Sequence, residues 1–272
     1  MNSTLPVSHH YVDIPDGRLH RLEYPGTGPP LVCVHGVTGT GWVWHDVADH
    51  LADVASIHAV DMRGHGDSLW SPTHDYSTAS QVEALAAHID DVGLDGVNLC
   101  GASWGALVAL EYAAANPQRV TRLIIVDIEP SFGVSPTDVP PRPQWFDTFA
   151  DVEAWLADNQ PDAPASAIAA MANGSFRGAD GGKIVARHDP FLYEQWPFRD
   201  GDHWPALSKV ACPTLLVHAT ATFVQADAME RMAELINNSQ LVQLEQSTHV
   251  VPLDRPADLS NTIRDFLAAN PS

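Results

Sequence analysis

The chain has 272 residues, 45% of them hydrophobic, so it can bury a sizeable core as one large domain or as a core domain with a modest insertion. Its 34 acidic and 14 basic residues leave a formal charge of −20, which argues against nucleic acid and anionic membrane surfaces as partners. No apolar run reaches the roughly 18 residues of a membrane span, and Met1–Pro6 has no signal-peptide pattern, so a cytoplasmic location is expected.

Taken in chain order, His10 to Tyr24 reads as a hairpin turning at Pro15-Asp16-Gly17, with alternation resuming from Leu19. Leu31-Val32-Cys33-Val34 is a continuous apolar run of the kind found in buried parallel strands, and it ends at His35-Gly36. Trp42 to Leu51 has helical spacing. Ile57 to Val60 is the next strand, ending at Asp61. Ser80 to Val92 is helical, with Val82, Leu85, Ala86 and Ile89 on one face. Val97 to Cys100 is a strand, Leu107 to Ala115 a helix, and Leu123 to Val126 a further strand ending at Asp127. Thr214 to Val217 and Leu241 to Leu244 supply two more strands, with a helix at Asp227 to Ile236 between them and a final helix at Asp258 to Ala269. Strands alternating with helices predict a parallel sheet covered on both faces. Cys33 and Cys100 fall in predicted buried strands and Cys212 beside Pro213, so all three read as reduced core residues.

The alternation breaks between residues 132 and 205. This stretch opens on a proline-rich segment, Pro136 to Pro143. It continues through helical pieces at Trp145 to Asp158 and Ala165 to Met171 and a glycine turn at Gly178 to Gly182. It closes on the aromatic cluster Phe191, Tyr193, Trp196, Phe198 and Trp204. The reading is a core domain of residues 1–131 and 206–272 with a helical cap, residues 132–205, above the strand ends. The aromatics either line an apolar cavity there or fasten the cap to the core.

The most informative stretch is Gly101-Ala102-Ser103-Trp104-Gly105. A Gly-x-Ser-x-Gly pattern is common in turns. Between a strand and a helix it marks a sharp bend that exposes the serine, with glycines where neighbouring atoms crowd. A serine hydroxyl needs a base, and a histidine base needs an acid to hold its tautomer. His249 follows the last strand, in a loop on the same sheet edge as Ser103, and is the candidate base; His35, before a glycine, reads as a loop organiser. Arg63 and Asp67 read as structural. His65, His74 and His188 lack ligand-like spacing, so no metal site is expected, and no organic-cofactor motif is present.

His35-Gly36, the segment Asp61 to Ser68, the elbow at Ser103 and the histidine loop before Pro252 together make the chain resemble the α/β-hydrolases with a cap domain. That resemblance covers nearly everything outside the insertion. It implies an α/β fold with a mostly parallel eight-stranded sheet flanked by helices, and a triad in the order serine, acid, histidine. It also implies an oxyanion hole built from the backbone N–H groups of Trp104 and Val37, with Gly36 as the alternative to Val37. One departure stands out. Most members of the family carry the acid just beyond the strand that here is Thr214 to Val217. This chain reads His218 to Val224 there, without a carboxylate. Certain haloalkane dehalogenases and the fungal zearalenone lactonases are similar in placing the acid after the strand that here ends at Val126, so the resemblance makes Asp127, at that strand's carboxyl end, the candidate acid, with Glu129 and Asp227 as alternatives.

The expected activity is hydrolysis of a small-molecule carboxylic ester or lactone through an acyl-enzyme. Trp104, Phe191, Tyr193 and Trp196 would line an apolar or aromatic substrate pocket. Carbon–carbon, amide and thioester cleavage are open to the same machinery, and a homodimer is an allowed assembly. Epoxide hydrolysis and dehalogenation are disfavoured, since those relatives use an aspartate where Ser103 stands. A second class is a ligand-binding protein of the same fold that turns over poorly. A pure scaffold sits badly with an intact elbow, base and oxyanion loop.

Overall fold

Hairpin, parallel strands and helices follow one another much as their periodicities dictate. The computed structural model describes residues 5–93, 95–131, 142–199 and 201–269. β1 (Ser8–Ile14) and β2 (Gly17–Tyr24) form an antiparallel edge hairpin, with Ile14 opposite Gly17. β3 (Pro30–Val34), β4 (Ser56–Asp61), β5 (Val97–Ala102), β6 (Val120–Val126), β9 (Thr214–Ala221) and β10 (Ser239–Thr248) then run parallel to one another. The eight-stranded sheet has the order β1-β2-β4-β3-β5-β6-β9-β10, with β2 antiparallel to β4. The central strands are mostly apolar because helices cover both their faces; every residue of β5 is buried.

α1 (His45–Leu51) and α10 (Pro256–Ala268) cover one face. α10 turns Leu259, Ile263 and Phe266 inward, and burying each contributes about 1.5–3 kcal/mol. α2 (Thr78–Val92), α3 (Trp104–Ala115) and α8 (Ala226–Leu235) cover the other. α2 starts where Ser77 accepts the Ser80 N–H and ends at Gly93, whose φ of 74° stops the helix in the left-handed region. Every residue from Trp104 to Leu110 is buried, so α3 is apolar all round and sits between the sheet and its neighbours α2 and α7 (Trp204–Leu207).

Between β6 and β9 lie α4 (Phe149–Asn159), α5 (Ala165–Ser175), a small hairpin of β7 (Phe176–Gly178) and β8 (Ile184–Ala186), α6 (Phe191–Gln195) and α7. The helix expected from Trp145 begins at Phe149, because Thr148 and Asp151 close a reciprocal cap there. Trp145 stays outside, half exposed, with the Lys183 ammonium 3.7 Å from its ring centre. The expected glycine turn is the tip of the β7–β8 hairpin. Of the proline-rich stretch, residues 136–141 lie outside the described residues. From Phe146 onward the described part of this stretch is tied down by shared packing. Phe146, Val152, Ile168, Met171 and Ala172 continue the core that holds Trp44, Val47 and Ile263. Thr40 and Ser175 hydroxyls meet at 2.6 Å, and Ser166 donates to Asp46 at 2.6 Å.

Among the described residues, no helix is long and apolar enough to cross a membrane. The three cysteines are buried and free.

Candidate active site

β3 lies between β4 and β5, so the connections leaving its carboxyl end and that of β5 diverge, and a crevice opens where ligands bind in parallel sheets. β5 delivers Ser103 to that crevice. The chain turns from strand to helix at one residue, with Ser103 at φ 53° and ψ −128°. Such a backbone costs about 1–3 kcal/mol and persists only where its surroundings enforce it. Here Ser103 N–H donates to Val126 carbonyl at 2.9 Å, and Ala106 N–H donates to Ser103 carbonyl at 2.8 Å. A Cβ on Gly105 would lie 2.3 Å from the His35 carbonyl oxygen and 2.4 Å from that of Val34, so only glycine lets α3 start this close to β3.

β10 delivers His249. Its Nε2 lies 2.8 Å from Ser103 Oγ and its Nδ1 2.7 Å from Asp127 Oδ2. With Nδ1–H donating to the carboxylate, Nε2 is left to accept the serine hydroxyl. Asp127 is fully buried while the His249 side chain is 21% exposed, so the carboxylate is shielded from solvent and the imidazole is open to a ligand. Asp127 also has a left-handed backbone, φ 50°, a region in which aspartate is several-fold enriched. Its N–H donates to Val217 carbonyl at 2.8 Å.

Asp127 is held from β9 and from the loop that follows it. Oδ1 accepts the Ala219 N–H at 2.9 Å, and Oδ2 accepts the Thr222 hydroxyl at 2.6 Å. The stretch His218 to Val224, which lacks a carboxylate, therefore supplies two donors to the Asp127 carboxylate, one from β9 and one from the loop after it. Thr222 was not singled out from the sequence, although a hydroxyl in a loop expected to carry an acid was a usable signal. Glu129 lies two residues beyond Asp127, and Asp227 sits in the first turn of α8; neither is the carboxylate on His249 Nδ1.

The β3 loop abuts Ser103. A Cβ on Gly36 would meet Ser103 Cβ at 3.0 Å. Two buried histidines shape this loop. His35 Nδ1–H donates to Gly36 carbonyl at 2.7 Å while Nε2 accepts Met62 N–H at 3.1 Å. His65 Nδ1–H donates to Arg63 carbonyl at 3.0 Å while Nε2 accepts Thr38 N–H at 3.1 Å. Each needs one protonated and one bare nitrogen, and burial pushes both histidines down, His65 well below its ordinary value. Val37 lies between these fixed points, and Thr38 beyond it has a φ of 59°.

The four residues expected to line a substrate pocket lie in different surroundings. Trp104 is 0% exposed; its indole lies in the core and Nε1 donates to Thr78 Oγ1 at 3.1 Å, so its side chain borders no open space. Helical side chains lean toward their own N-terminus, which carries this indole toward α2 rather than the crevice. Trp196 is buried in the same cluster, and Phe191 stacks on His74 at 4.3 Å between ring centres. Tyr193 is the member linked to the site: Arg142 reaches over its ring at 5.5 Å and donates to Thr38 Oγ1 at 2.6 Å. Phe223, unforeseen, has its ring centre 4.3 Å from that of His249. Arg63 pairs with Asp16 and Asp67 with Arg187, the structural roles expected for the segment Asp61 to Ser68.

The pattern describing the alpha/beta hydrolase fold matches residues 29–164. The chain belongs to the α/β-hydrolase family. Among its relatives is lipase LipV of Mycobacterium tuberculosis (strain ATCC 25618 / H37Rv), 34% identical over 175 residues, 64% of this chain and 62% of LipV, so that match spans less than two thirds of the lipase. The 2-(acetamidomethylene)succinate hydrolase of Mesorhizobium japonicum (strain LMG 29417 / CECT 9101 / MAFF 303099) is 27% identical over 97% of this chain and 98% of its own. The crystal structure of E-2-(acetamidomethylene)succinate hydrolase superposes with a TM-score of 0.87, at 27% identity, covering 97% of this chain and all of that one. These relatives support a hydrolase.

Proposed function

We propose that this α/β-hydrolase cleaves a carboxylic ester or lactone through an acyl-enzyme on Ser103. The observation that carries the reading is the unbroken relay from Ser103 Oγ to His249 Nε2 at 2.8 Å and from His249 Nδ1 to Asp127 at 2.7 Å. Ser103 Oγ attacks the carbonyl carbon as His249 takes its proton, and Asp127 stabilises the imidazolium that forms. The N–H groups of Trp104 and Val37 receive the oxyanion. The alkoxide leaves with the proton from His249; a lactone keeps this alcohol tethered to the acyl group. Water, deprotonated by His249, then releases the acid and restores Ser103. The segment 132–205 acts as the cap, and the half-exposed ring of Phe223 beside His249 offers an apolar wall. This suits a substrate with an apolar or aromatic group.

The test is a fluorophosphonate probe followed by intact mass and peptide mapping. One adduct on Ser103, absent from Ser103→Ala, is the expected result. A folded protein that stays unlabelled overturns the reading and favours a ligand-binding role.

A second reading, amide hydrolysis on a carboxylate-bearing substrate, draws on Arg142. Its guanidinium bonds Thr38, beside Val37, where it can meet an anionic group next to the reacting carbonyl. The full-length relative named for 2-(acetamidomethylene)succinate is consistent with that chemistry. Arg142→Ala raising KM for carboxylate-bearing substrates, with little change for neutral aryl esters, would favour this second reading.

A further inference from the structure

We propose that His9, His20 and Asp67 form a binding site for a transition-metal dication of the zinc or nickel type. The ligand atoms of these three residues all lie within 4.8 Å of one another. They come from three parts of the chain: His9 from β1, His20 from β2, and Asp67 from the loop after β4. The hairpin register puts Tyr11 opposite His20, so His9, two residues earlier, shares their face of the sheet. His9 Nδ1 and His20 Nε2 already face each other at 2.8 Å. Two imidazole nitrogens on one tetrahedral zinc are about 3.3 Å apart, given metal–nitrogen bonds of about 2.05 Å. The rings need separate by only a few tenths of an ångström for both lone pairs to meet on a cation.

The surroundings orient these ligands as metal sites do. His20 Nδ1–H donates to buried Asp61 Oδ2 at 2.6 Å, which leaves the Nε2 lone pair pointing at the site. A carboxylate behind a histidine fixes tautomer and ring orientation in metal centres. The same Asp61 oxygen accepts the Asp67 N–H at 3.0 Å, so one buried carboxylate positions two ligands. Its other oxygen accepts the Gly41 N–H at 2.7 Å. His9 and Asp67 are exposed, leaving coordination positions for water. Two imidazoles and one carboxylate favour zinc, nickel, copper or iron over magnesium or calcium. A chain of net charge −20 also concentrates cations at its surface. Arg187 opposes binding: it pairs with Asp67 Oδ1, and a metal must use Oδ2 or displace it.

The consequence is a cation-dependent clasp. The bound ion would join both strands of the edge hairpin to the loop anchored on Asp61, independently of any chemistry at Ser103.

The experiment uses tag-free, chelator-treated protein with cobalt(II), zinc(II) or nickel(II). Cobalt is followed by its visible absorption, zinc and nickel by calorimetry and thermal unfolding. The expected result is one equivalent of metal per chain and a Tm rise of about 5 °C at a hundredfold excess over Kd. His9→Asn and Asp67→Asn each weaken binding at least tenfold. His10→Asn leaves it unchanged, because His10 pairs with Glu23 instead. Arg187→Gln tightens it. Absence of binding, or binding unaltered in both His9→Asn and Asp67→Asn, overturns the proposal. Circular dichroism and metal-free thermal unfolding of His9→Asn and Asp67→Asn serve as the folding control.

Discussion

Asp127→Asn is the sharpest perturbation of the relay. In the native protein Asp127 Oδ2 accepts from His249 at 2.7 Å and from Thr222 at 2.6 Å, while Oδ1 accepts the Ala219 N–H at 2.9 Å. All three partners donate, which suits a carboxylate and no amide. An asparagine keeping its oxygen on Ala219 turns its NH2 toward His249, and Nδ1 must then accept. The ring proton moves to Nε2, where it faces Ser103 Oγ, and the base is lost. The flipped amide sets its NH2 against the Ala219 N–H, a donor against a donor in a buried place. A wrong tautomer of this kind costs about four orders of magnitude in kcat, or about 5.5 kcal/mol of transition-state stabilisation. The assay is steady-state hydrolysis of an aryl ester, with fluorophosphonate titration to count active sites and circular dichroism to show that the variant folds. Glu129→Gln and Asp227→Asn, assayed in parallel, stay within about threefold of wild type. Turnover by Asp127→Asn within tenfold of wild type would refute the assignment, and loss in Glu129→Gln instead would move the acid there.

Gly105→Ala should fail to accumulate as folded protein or lose at least about 3 kcal/mol, because its methyl would meet backbone oxygens of β3 at 2.3 and 2.4 Å; urea unfolding measures this. Thr222→Val, which removes a donor from Asp127 but not the carboxylate, should lower kcat about tenfold and leave KM nearly unchanged. His88 is buried with neither ring nitrogen hydrogen-bonded, and burial pushes it down to about 3. The unfolded chain takes up this proton near pH 6.5, so stability is full above that value and falls as pH drops toward 3, by up to about 1.4 kcal/mol per pH unit. Unfolding free energies at pH 7.5 and 5 should differ less in His88→Leu than in wild type; an equal difference would show that His88 does not contribute.

What the sequence disclosed was local. The Ser103 elbow needs glycines within two residues of the serine, and the strand before it and helix after it are contiguous, so pattern and context sit in one short window. That His249 and Asp127 lie on the same edge as Ser103 was legible because strand ends can be located from apolar runs, and in a parallel sheet all such ends share one edge. The environment of Trp104 was hidden because its indole finds Thr78, a partner 26 residues earlier and on another helix. The His9, His20 and Asp67 cluster was hidden for the same reason: a hairpin register and a distant loop bring it together, and no fixed spacing records that. Phe223 and Thr222 stand in a loop where only a carboxylate was sought.

The proposed acid stands at the end of β6 rather than beyond β9, and the relation between the two strands explains how it can. They are hydrogen-bonded neighbours in register, Val126 opposite Val217, so side chains just beyond either end converge on the same place. The two loops divide the work: one supplies the carboxylate and the other its donors. If so, the roles should be exchangeable. Asp127→Gly removes the native acid at a position whose φ of 50° glycine accepts without strain, and should abolish the base as thoroughly as Asp127→Asn. Adding Thr222→Asp brings a carboxylate from the β9 side. Thr222 Oγ1 stands 2.6 Å from the oxygen that now contacts His249, so the longer aspartate can extend into the vacated space. The double variant should recover at least tenfold in kcat over Asp127→Gly alone, with adduct formation on Ser103 recovering in parallel. No recovery in a folded double variant would mean that the left-handed backbone at position 127 positions the acid in a way the neighbouring loop cannot reproduce.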